Sequence, residues 1–225
     1  MSRVINSFSR GILVLLIFGI MLIAMNAKTF VISIKPSVDF EELLEEDAKA
    51  GMHVKGNVCF AYDCFAEEST WTEYSDGSRT AAEKSNYYYV IPGVENFFAV
   101  EIRADKSSAM DDLVDETWEY LYGGKEPSSE VPVHGIMVKM DKETEDLFVE
   151  YLVEAGFTED EIDDMGDLLI VEQYSMGAVR VMFLIGVVLL ALGVFFFIRN
   201  YKKQEPKEPQ QPQTPTNDDN GTYAF

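Results

Sequence analysis

Two cysteines are the first residues in this 225-residue chain whose type could carry covalent, redox or metal chemistry. Cys59 and Cys64 lie five positions apart, which would place their side chains on opposite faces of one unbroken strand. A turn or bulge at residues 61–63 would let them form a disulfide, which an environment outside the membrane permits. The alternatives are two separate thiols, or a redox or metal role that lacks the C-x-x-C spacing.

The two histidines, His53 and His134, would complete a formal Cys₂His₂ ligand set, but the spacing of the four residues resembles no zinc motif. His134 precedes Gly135 in an alternating segment, which is typical of a structural strand histidine. The sequence also contains no G-x-S-x-G motif and no glycine-rich phosphate loop. We therefore expect no catalytic, cofactor-binding or metal-binding residue, no cofactor and no enzymatic activity. An enzyme, the alternative, would depend on carboxylates or thiols.

The densest acidic stretch covers residues 159–167 and invites comparison with a calcium loop. An EF-hand needs oxygen ligands at alternate positions, whereas Asp160 is followed by Ile162 at a ligand position. Thr158 and Glu161 instead have the spacing of a capping box. The stretch thus predicts the start of a short helix, and a weak divalent-cation site is the alternative.

The overall charge excludes one class of partner. The chain has 39 acidic and 18 basic residues and a net charge of −21, the opposite of a protein that binds nucleic acid by neutralising phosphates. Residues 36–176 contain 35 acidic and 9 basic side chains, a net charge of −26. The excess of acid is therefore confined to the middle of the chain.

Two apolar blocks near the ends of the chain can be compared with the roughly 20 helical residues that span a bilayer. Residues 181–198 are 18 consecutive apolar residues, and we predict a transmembrane helix over residues 177–198. The first block has 15 uninterrupted apolar residues from Gly11 to Met25. It predicts a transmembrane helix over residues 11–30, or alternatively a secretory signal peptide that is cleaved.

Basic residues flank both blocks on the sides away from the acidic segment, at Arg3 and Arg10 and in the run after Ile198. Because Lys and Arg are retained on the cytoplasmic side, we predict a cell-membrane protein with both termini in the cytoplasm. Cleavage of a signal peptide would leave it single-pass. The predicted organisation is listed in chain order: cytoplasmic N-terminus 1–10, transmembrane helix or signal peptide 11–30, extracytoplasmic acidic domain 31–176, transmembrane helix 177–198, disordered proline-rich cytoplasmic tail 199–225.

The acidic segment has the periodicities of an α+β domain. Helix-like spacing is present at residues 37–51, 110–121 and 143–155, and strand-like alternation at the segments listed here: 54–62, 87–91, 97–102, 131–140 and 168–171. Asp76-Gly77 predicts the turn of a hairpin. The alternation of strands and helices in the second half predicts a mixed sheet with covering helices and right-handed crossovers.

Two features outside the domain could contact partners. Gly186 and Gly193 share one face of the second apolar helix and could let another helix approach closely, although glycine is also ordinary in membrane helices. The tail has prolines every third residue and two terminal aromatic residues that could dock to a partner: Pro206, Pro209, Pro212, Pro215, Tyr223 and Phe225. A plain spacer is the alternative for the tail.

Three segments of the domain carry a family resemblance: residues 53–56 (HVKG), 87–92 (YYYVIP) and 97–102 (FFAVEI). With the flanking apolar blocks, they make the chain resemble the small two-helix membrane proteins of unknown function found in Gram-positive bacteria. The resemblance implies no activity. We therefore expect a membrane-anchored extracytoplasmic interaction or sensing module, whose partners are the lipid bilayer and a membrane protein. An accessory subunit of a larger membrane complex and an unrecognised extracytoplasmic enzyme are the alternatives.

Overall fold

The computed structural model describes residues 10–44, 48–94 and 96–203. Five α-helices lie within these residues: α1 (Arg10–Ser33), α2 (Ser107–Leu121), α3 (Lys142–Glu154), α4 (Glu159–Asp164) and α5 (Met176–Lys203). The same residues form seven strands: β1 (Val38–Asp39), β2 (His53–Val58), β3 (Cys64–Thr70), β4 (Glu83–Pro92), β5 (Phe97–Arg103), β6 (Val131–Lys139) and β7 (Leu169–Gln173). Two 3₁₀ helices complete the set: Glu41–Leu44 and Ala104–Lys106.

All seven strands belong to one sheet with the order β1-β2-β6-β7-β5-β4-β3. The β1–β2 and β5–β7 pairs are parallel, and the other neighbours are antiparallel. The predicted α+β class with a mixed sheet is thus confirmed. The predicted right-handed crossovers are wrong, because a crossover joins parallel strands, whereas β6 is antiparallel to β7 and therefore also to β5, which is parallel to β7.

Helices cover the two faces of the sheet. On one face, Met110 and Leu113 of α2 pack with Phe40 against buried strand residues. On the other face, Phe148 of α3 and Ile162 of α4 pack against a second apolar cluster. Successive residues of a strand point to opposite faces, so the central strands supply both clusters.

The helix predicted at residues 37–51 is not formed. Val38 and Asp39 instead pair with β2, and a 3₁₀ helix follows at Glu41–Leu44. Phe40 is fully buried beneath the sheet, because Gly56 has no side chain and lets the backbone of Phe40 approach closely. Residues 45–47 lie outside the described part of the chain. Burial of Phe40 therefore overrides the helical periodicity.

The predicted hairpin is confirmed, with β3 and β4 antiparallel on either side of a turn at Asp76-Gly77. Gly77 has a φ of +84°, a conformation that favours glycine. The strand predicted over residues 54–62 is shorter than expected and ends at Val58. The chain then turns, and β3 begins at Cys64.

Helices α1 and α5 are each long and apolar enough to cross a membrane. They pack against each other. The rings of Phe30 and Phe183 stack with centroids 4.0 Å apart. A Cβ added at Gly19 would lie 2.8 Å from the backbone nitrogen of Leu190. The two helices are therefore in backbone contact and leave the domain as a pair.

Candidate functional site

Two histidines from neighbouring strands meet near the start of α5. His53 in β2 and His134 in β6 are in contact through their Nε2 atoms, which are 2.8 Å apart. In the β2–β6 register, Lys55 lies opposite His134, so the histidines are two positions offset and point to the same face of the sheet. His53 is buried, with 7% of its surface exposed.

The partners of the two rings determine where the protons lie. Nδ1 of His53 is 3.1 Å from the carbonyl oxygen of Lys35, which can only accept a hydrogen bond. His53 Nδ1 therefore carries a proton, and when both rings are neutral His134 Nε2–H donates to the bare Nε2 of His53. One added proton still leaves one nitrogen of the contact as acceptor. A second would place two cationic N–H groups against each other and break the contact.

The surroundings of His134 favour its neutral form. Its pKa lies below the ordinary value of 6.5, first because burial penalises the charged ring and then because His53, Lys55 and Arg180 add positive charge nearby. His134 is thus favoured in its neutral form, and its protonation requires a more acidic medium than that of an ordinary histidine.

The histidine pair is tied to the ends of both apolar helices. The Lys35 carbonyl that contacts His53 follows α1 by two residues. The carbonyl oxygen of His134 accepts a hydrogen bond from the backbone N–H of Tyr174, two residues before α5. Arg180 of α5 donates to both the side-chain and backbone oxygens of Ser33 in α1. The ring of His53 and the backbone of His134 therefore both contact the junction with the helices.

An apolar contact reinforces this junction. Ile32 of α1, Ile136 of β6 and Met176 of α5 form a small buried cluster. Ile136 lies opposite His53 in the β2–β6 register. The ends of both helices are thus packed against the strand that carries His134, and the domain and the helix pair meet through a connected set of side chains.

A cleft of about 460 Å³ opens beside His134. No carboxylate lines it, although acidic residues outnumber basic ones almost fourfold in residues 36–176. The lining side chains are basic or neutral: Lys55, Asn57, Arg103, Lys106, Pro132, Val133, His134, Gln173, Tyr174 and Ser175, with Gly56. The cleft is therefore a positively charged site within an acidic domain.

Several donors face this cleft. The Nζ atom of Lys106 donates to the Pro132 carbonyl at 2.8 Å, which fixes the ammonium group at the cleft wall. Arg103 lies 3.5 Å from the carboxylate of Asp105 in an exposed pair that solvent screens strongly. Nε2 of Gln173 is buried and has no hydrogen-bond partner among the described residues. A ligand with acceptor oxygens would satisfy that amide.

A second cleft, of about 350 Å³, has the opposite charge and shares Gln173 and Tyr174 with the first. Burial raises the pKa of Glu101 in this cleft, and the charge of Glu172 adds to the effect. The Tyr174 hydroxyl donates to Glu172 at 2.6 Å, and this hydrogen bond together with burial raises the pKa of Tyr174 to about 12. The basic and acidic clefts thus adjoin at Gln173, the last residue of β7, and at Tyr174, which follows it.

The cysteines lie away from the histidine pair. Both are half-buried free thiols, so the candidate disulfide is not present. The Cys64 thiol donates to the Ala66 carbonyl, and burial raises its pKa to about 11. Cys59 lies in the turn after β2, and burial also raises its pKa. No group of three or more His, Cys, Asp or Glu residues that could hold a metal ion occurs in the described part of the chain.

The structure also locates the predicted helix-packing glycines and the predicted capping box. Gly186 and Gly193 face α1 of the same chain, against Ile23 and Leu16. The capping box is confirmed, since Thr158 and Glu161 exchange hydrogen bonds at the start of α4. The tail residues lie outside the described part of the chain: Pro206, Pro209, Pro212, Pro215, Tyr223 and Phe225.

The sequence patterns did not reveal the basic cleft or the meeting of the histidines. The available signal was compositional, because three of only nine basic residues in the acidic segment line the cleft. Their positions in β2, at the end of β5 and in the following 3₁₀ helix gave no sign of proximity. Strand order brings them together.

An α+β domain that is joined at one end to two apolar helices long enough to cross a membrane defines a small two-helix architecture. A family model described as "Domain of unknown function (DUF8577)" matches residues 2–199, and the chain belongs to this family. No curated protein and no solved structure matches the chain.

Proposed function

We propose that this protein is a membrane-anchored extracytoplasmic sensing module without catalytic activity. The acidic domain lies outside the cell membrane, α1 and α5 cross it, and both termini are cytoplasmic, in the manner of the two-helix membrane proteins of Gram-positive bacteria that the sequence resembles. The domain receives a chemical signal, and the helix pair transmits it. The contact between His53 and His134 is the observation that carries this proposal.

The position of that contact supports a sensing role. The ring of His53 binds the backbone that follows α1, and the backbone carbonyl of His134 accepts a hydrogen bond from the backbone that precedes α5. A sensor needs an element with two arrangements that differ in free energy when the signal binds. The histidine pair supplies this element, because its contact exists in the neutral and singly protonated forms and is lost in the doubly protonated form.

The alternative of an accessory subunit receives less support from the helix pair. The glycine face of α5 is occupied by α1, where a Cβ at Gly193 would lie 2.7 Å from the Leu16 side chain. A helix of another protein would have to contact a different side of the pair. The enzyme alternative would need a nucleophile or base in a cleft. The two thiols line neither of the clefts described, so it would rest on His134 in the first cleft or on Glu101 in the second.

The proposal is tested by measuring the distance between the two helices at their predicted cytoplasmic ends. The full chain, with Cys59→Ser and Cys64→Ser, is reconstituted in nanodiscs and spin-labelled at Val14→Cys and Phe195→Cys. Both of these positions are exposed. We expect the distance distribution to shift between about pH 7.5 and about pH 5.5, because acidification favours the doubly protonated pair, in which the contact between the two rings is lost.

The variants His53→Gln and His134→Gln serve as controls, since neither retains two titratable rings. We expect their distributions to change much less with pH than that of the parent chain. A parent distribution that is identical at both pH values would contradict the sensing proposal. So would an equal shift in all three proteins.

A further inference from the structure

We infer that the basic cleft beside His134 binds a phosphate group, carried either by a phospholipid headgroup or by a soluble phosphate ester. This inference rests on the proposed sensing function and gives its ligand a chemical class. Three cationic side chains reach one cleft of about 460 Å³: Lys55, Arg103 and Lys106. No carboxylate is in the lining, although the segment contains 35 acidic residues. Asp105 and Glu130 contact the lining side chains Arg103 and Asn57 from outside it.

The free charge of these side chains favours an anion. Lys55 forms no salt bridge with any residue in the described part of the chain, and its side chain is exposed. The Lys106 ammonium donates to the Pro132 carbonyl, an interaction that orients the charge without neutralising it. Arg103 is paired with Asp105 only in an exposed contact that solvent screens. No described residue forms a salt bridge with Lys55 or Lys106, so a bound anion would neutralise the positive charge of the cleft.

The hydrogen-bonding groups favour an anion with several acceptor oxygens. The buried Nε2 of Gln173 has no acceptor among the described residues, and leaving a buried donor unsatisfied is unfavourable. A phosphate presents acceptor oxygens in several directions, which suits a cleft whose lining includes Lys55, Arg103 and Gln173. A single carboxylate oxygen pair, which is planar, covers fewer of these directions.

The location of the cleft makes a lipid phosphate accessible. Ser175 lines the cleft and directly precedes α5. The uninterrupted apolar run begins at Val181, six residues further on, or about 9 Å along a helix. The headgroup region of a bilayer adds roughly 5–8 Å on each side of its hydrocarbon core. With α5 in a membrane, the cleft edge lies close to the level of the lipid phosphates.

Ligand binding here would act on the histidine pair. His134 lines the cleft, and the nearby positive charges of Lys55 and Arg180 disfavour its protonation. A bound phosphate would offset those charges and favour the imidazolium form. The phosphate and the proton would thus promote each other's binding, which is the reciprocity that linkage requires.

The test uses the full chain in neutral detergent with three probes. Native mass spectrometry measures retention of phosphatidylglycerol and of phosphatidylcholine from mixed micelles, and calorimetry measures binding of inorganic phosphate. The test variant is Lys55→Gln with Arg103→Gln. The control is Arg79→Gln with Lys125→Gln, which changes the net charge equally at exposed positions outside the cleft.

We expect the wild-type chain and the control to bind at least one phosphate probe. The test variant should bind the same probe with an affinity lower by about tenfold or more. Retention of a phospholipid without binding of inorganic phosphate assigns the site to headgroups. Binding of inorganic phosphate assigns it to soluble phosphates. The charge-preserving variant Lys55→Arg with Arg103→Lys should keep most of the affinity, which separates loss of charge from loss of fold.

Two outcomes would overturn the inference: no probe binds the wild-type chain, or both double variants lose affinity equally. The helix distances test the sensing proposal separately. A helix pair that responds to pH in a chain that binds no phosphate retains the sensing proposal and removes only this ligand. A chain that binds phosphate but has pH-independent helix distances retains the phosphate site and removes the sensing proposal.

Discussion

His53 Nε2 lies 2.8 Å from His134 Nε2, although 81 positions separate the two residues along the chain. Their contact depends on the antiparallel pairing of β2 with β6, in which Lys55 is opposite His134 and His53 is opposite Ile136. The same pairing places Lys55 at the basic cleft. One strand register thus creates both the histidine pair and part of the neighbouring anion site.

Stability should fall as the medium is acidified through the titration range of His134. The pKa of this residue in the folded protein is below 6.5, so the unfolded chain binds more protons between the two values. The contribution of His134 is therefore fully present above about pH 6.5 and declines below it. Thermal unfolding of the full chain in neutral detergent, followed by near-ultraviolet circular dichroism, measures this dependence.

In the His134→Gln variant, the decrease in stability with falling pH should be smaller than in the wild-type chain. Glu101 supplies an internal comparison, because burial raises its pKa above 4.5 and it contributes with the opposite sign at lower pH. The Glu101→Gln variant should therefore keep the His134-dependent slope. If His134→Gln and the wild-type chain lose stability identically between about pH 7 and about pH 5.5, the assignment of this slope to His134 is wrong.

Gly135→Ala should destabilise the domain strongly. A Cβ at Gly135 would lie 2.1 Å from the carbonyl oxygen of Glu172 in the adjacent strand, and the β6–β7 pairing would have to move apart. We expect a loss of about 3 kcal/mol, as for severe overpacking. Chemical unfolding of the full chain provides the measurement. Gly177→Ala is the matched control, since a Cβ there meets nothing within 4 Å.

The close contact of α1 and α5 should depend on their glycines. Cysteines at Phe30 and Phe183, whose rings are stacked in the native chain, should crosslink efficiently in a background without Cys59 and Cys64. Adding Gly186→Leu and Gly193→Leu should reduce crosslinking severely, because the new side chains meet α1 at 3.1 Å or less. Gly11→Leu is the control, since its position is open. Unchanged crosslinking with both leucines would contradict this packing.

The proposed topology can be checked by labelling with a membrane-impermeant maleimide. The native thiols are poor reporters, because burial raises the pKa of both Cys59 and Cys64 and lowers their thiolate fraction. We therefore expect Lys125→Cys to label in intact cells and Lys202→Cys to label only after lysis. The reverse pattern would place the domain in the cytoplasm and exclude an extracytoplasmic sensor.

The sequence was informative where periodicity and local chemistry decide structure. Alternation predicted the strands at Tyr87–Ile91 and Phe97–Ile102, and the Thr158–Glu161 spacing predicted a helix start. These features depend on neighbours within a few residues. The helix predicted after Ser37 was wrong, because the burial of Phe40 and the pairing of Val38 with Val54 depend on residues distant in the chain.

The candidate site depends almost entirely on such distant relationships. Lys55, Arg103 and Lys106 are unremarkable as single residues, and His134 has the appearance of an ordinary strand residue. Only the order β2-β6-β7-β5 brings β2, β6 and the end of β5 to one cleft. Periodicity fixes which face a side chain takes, whereas strand order fixes which side chains meet.

The two membrane-candidate helices are attached to the sheet with unequal mechanical strength. Helix α1 leads into β1, an edge strand held to the sheet by two residue pairs. Helix α5 follows β7, which is central and pairs with β6 over five residues and with β5 over two. A tension that draws the helices apart would therefore peel β1 from its edge while β7 stays in place. The strand beside that edge begins with His53, so with both helices in a membrane, as proposed, lateral stretching of the bilayer would act on the histidine pair through β1.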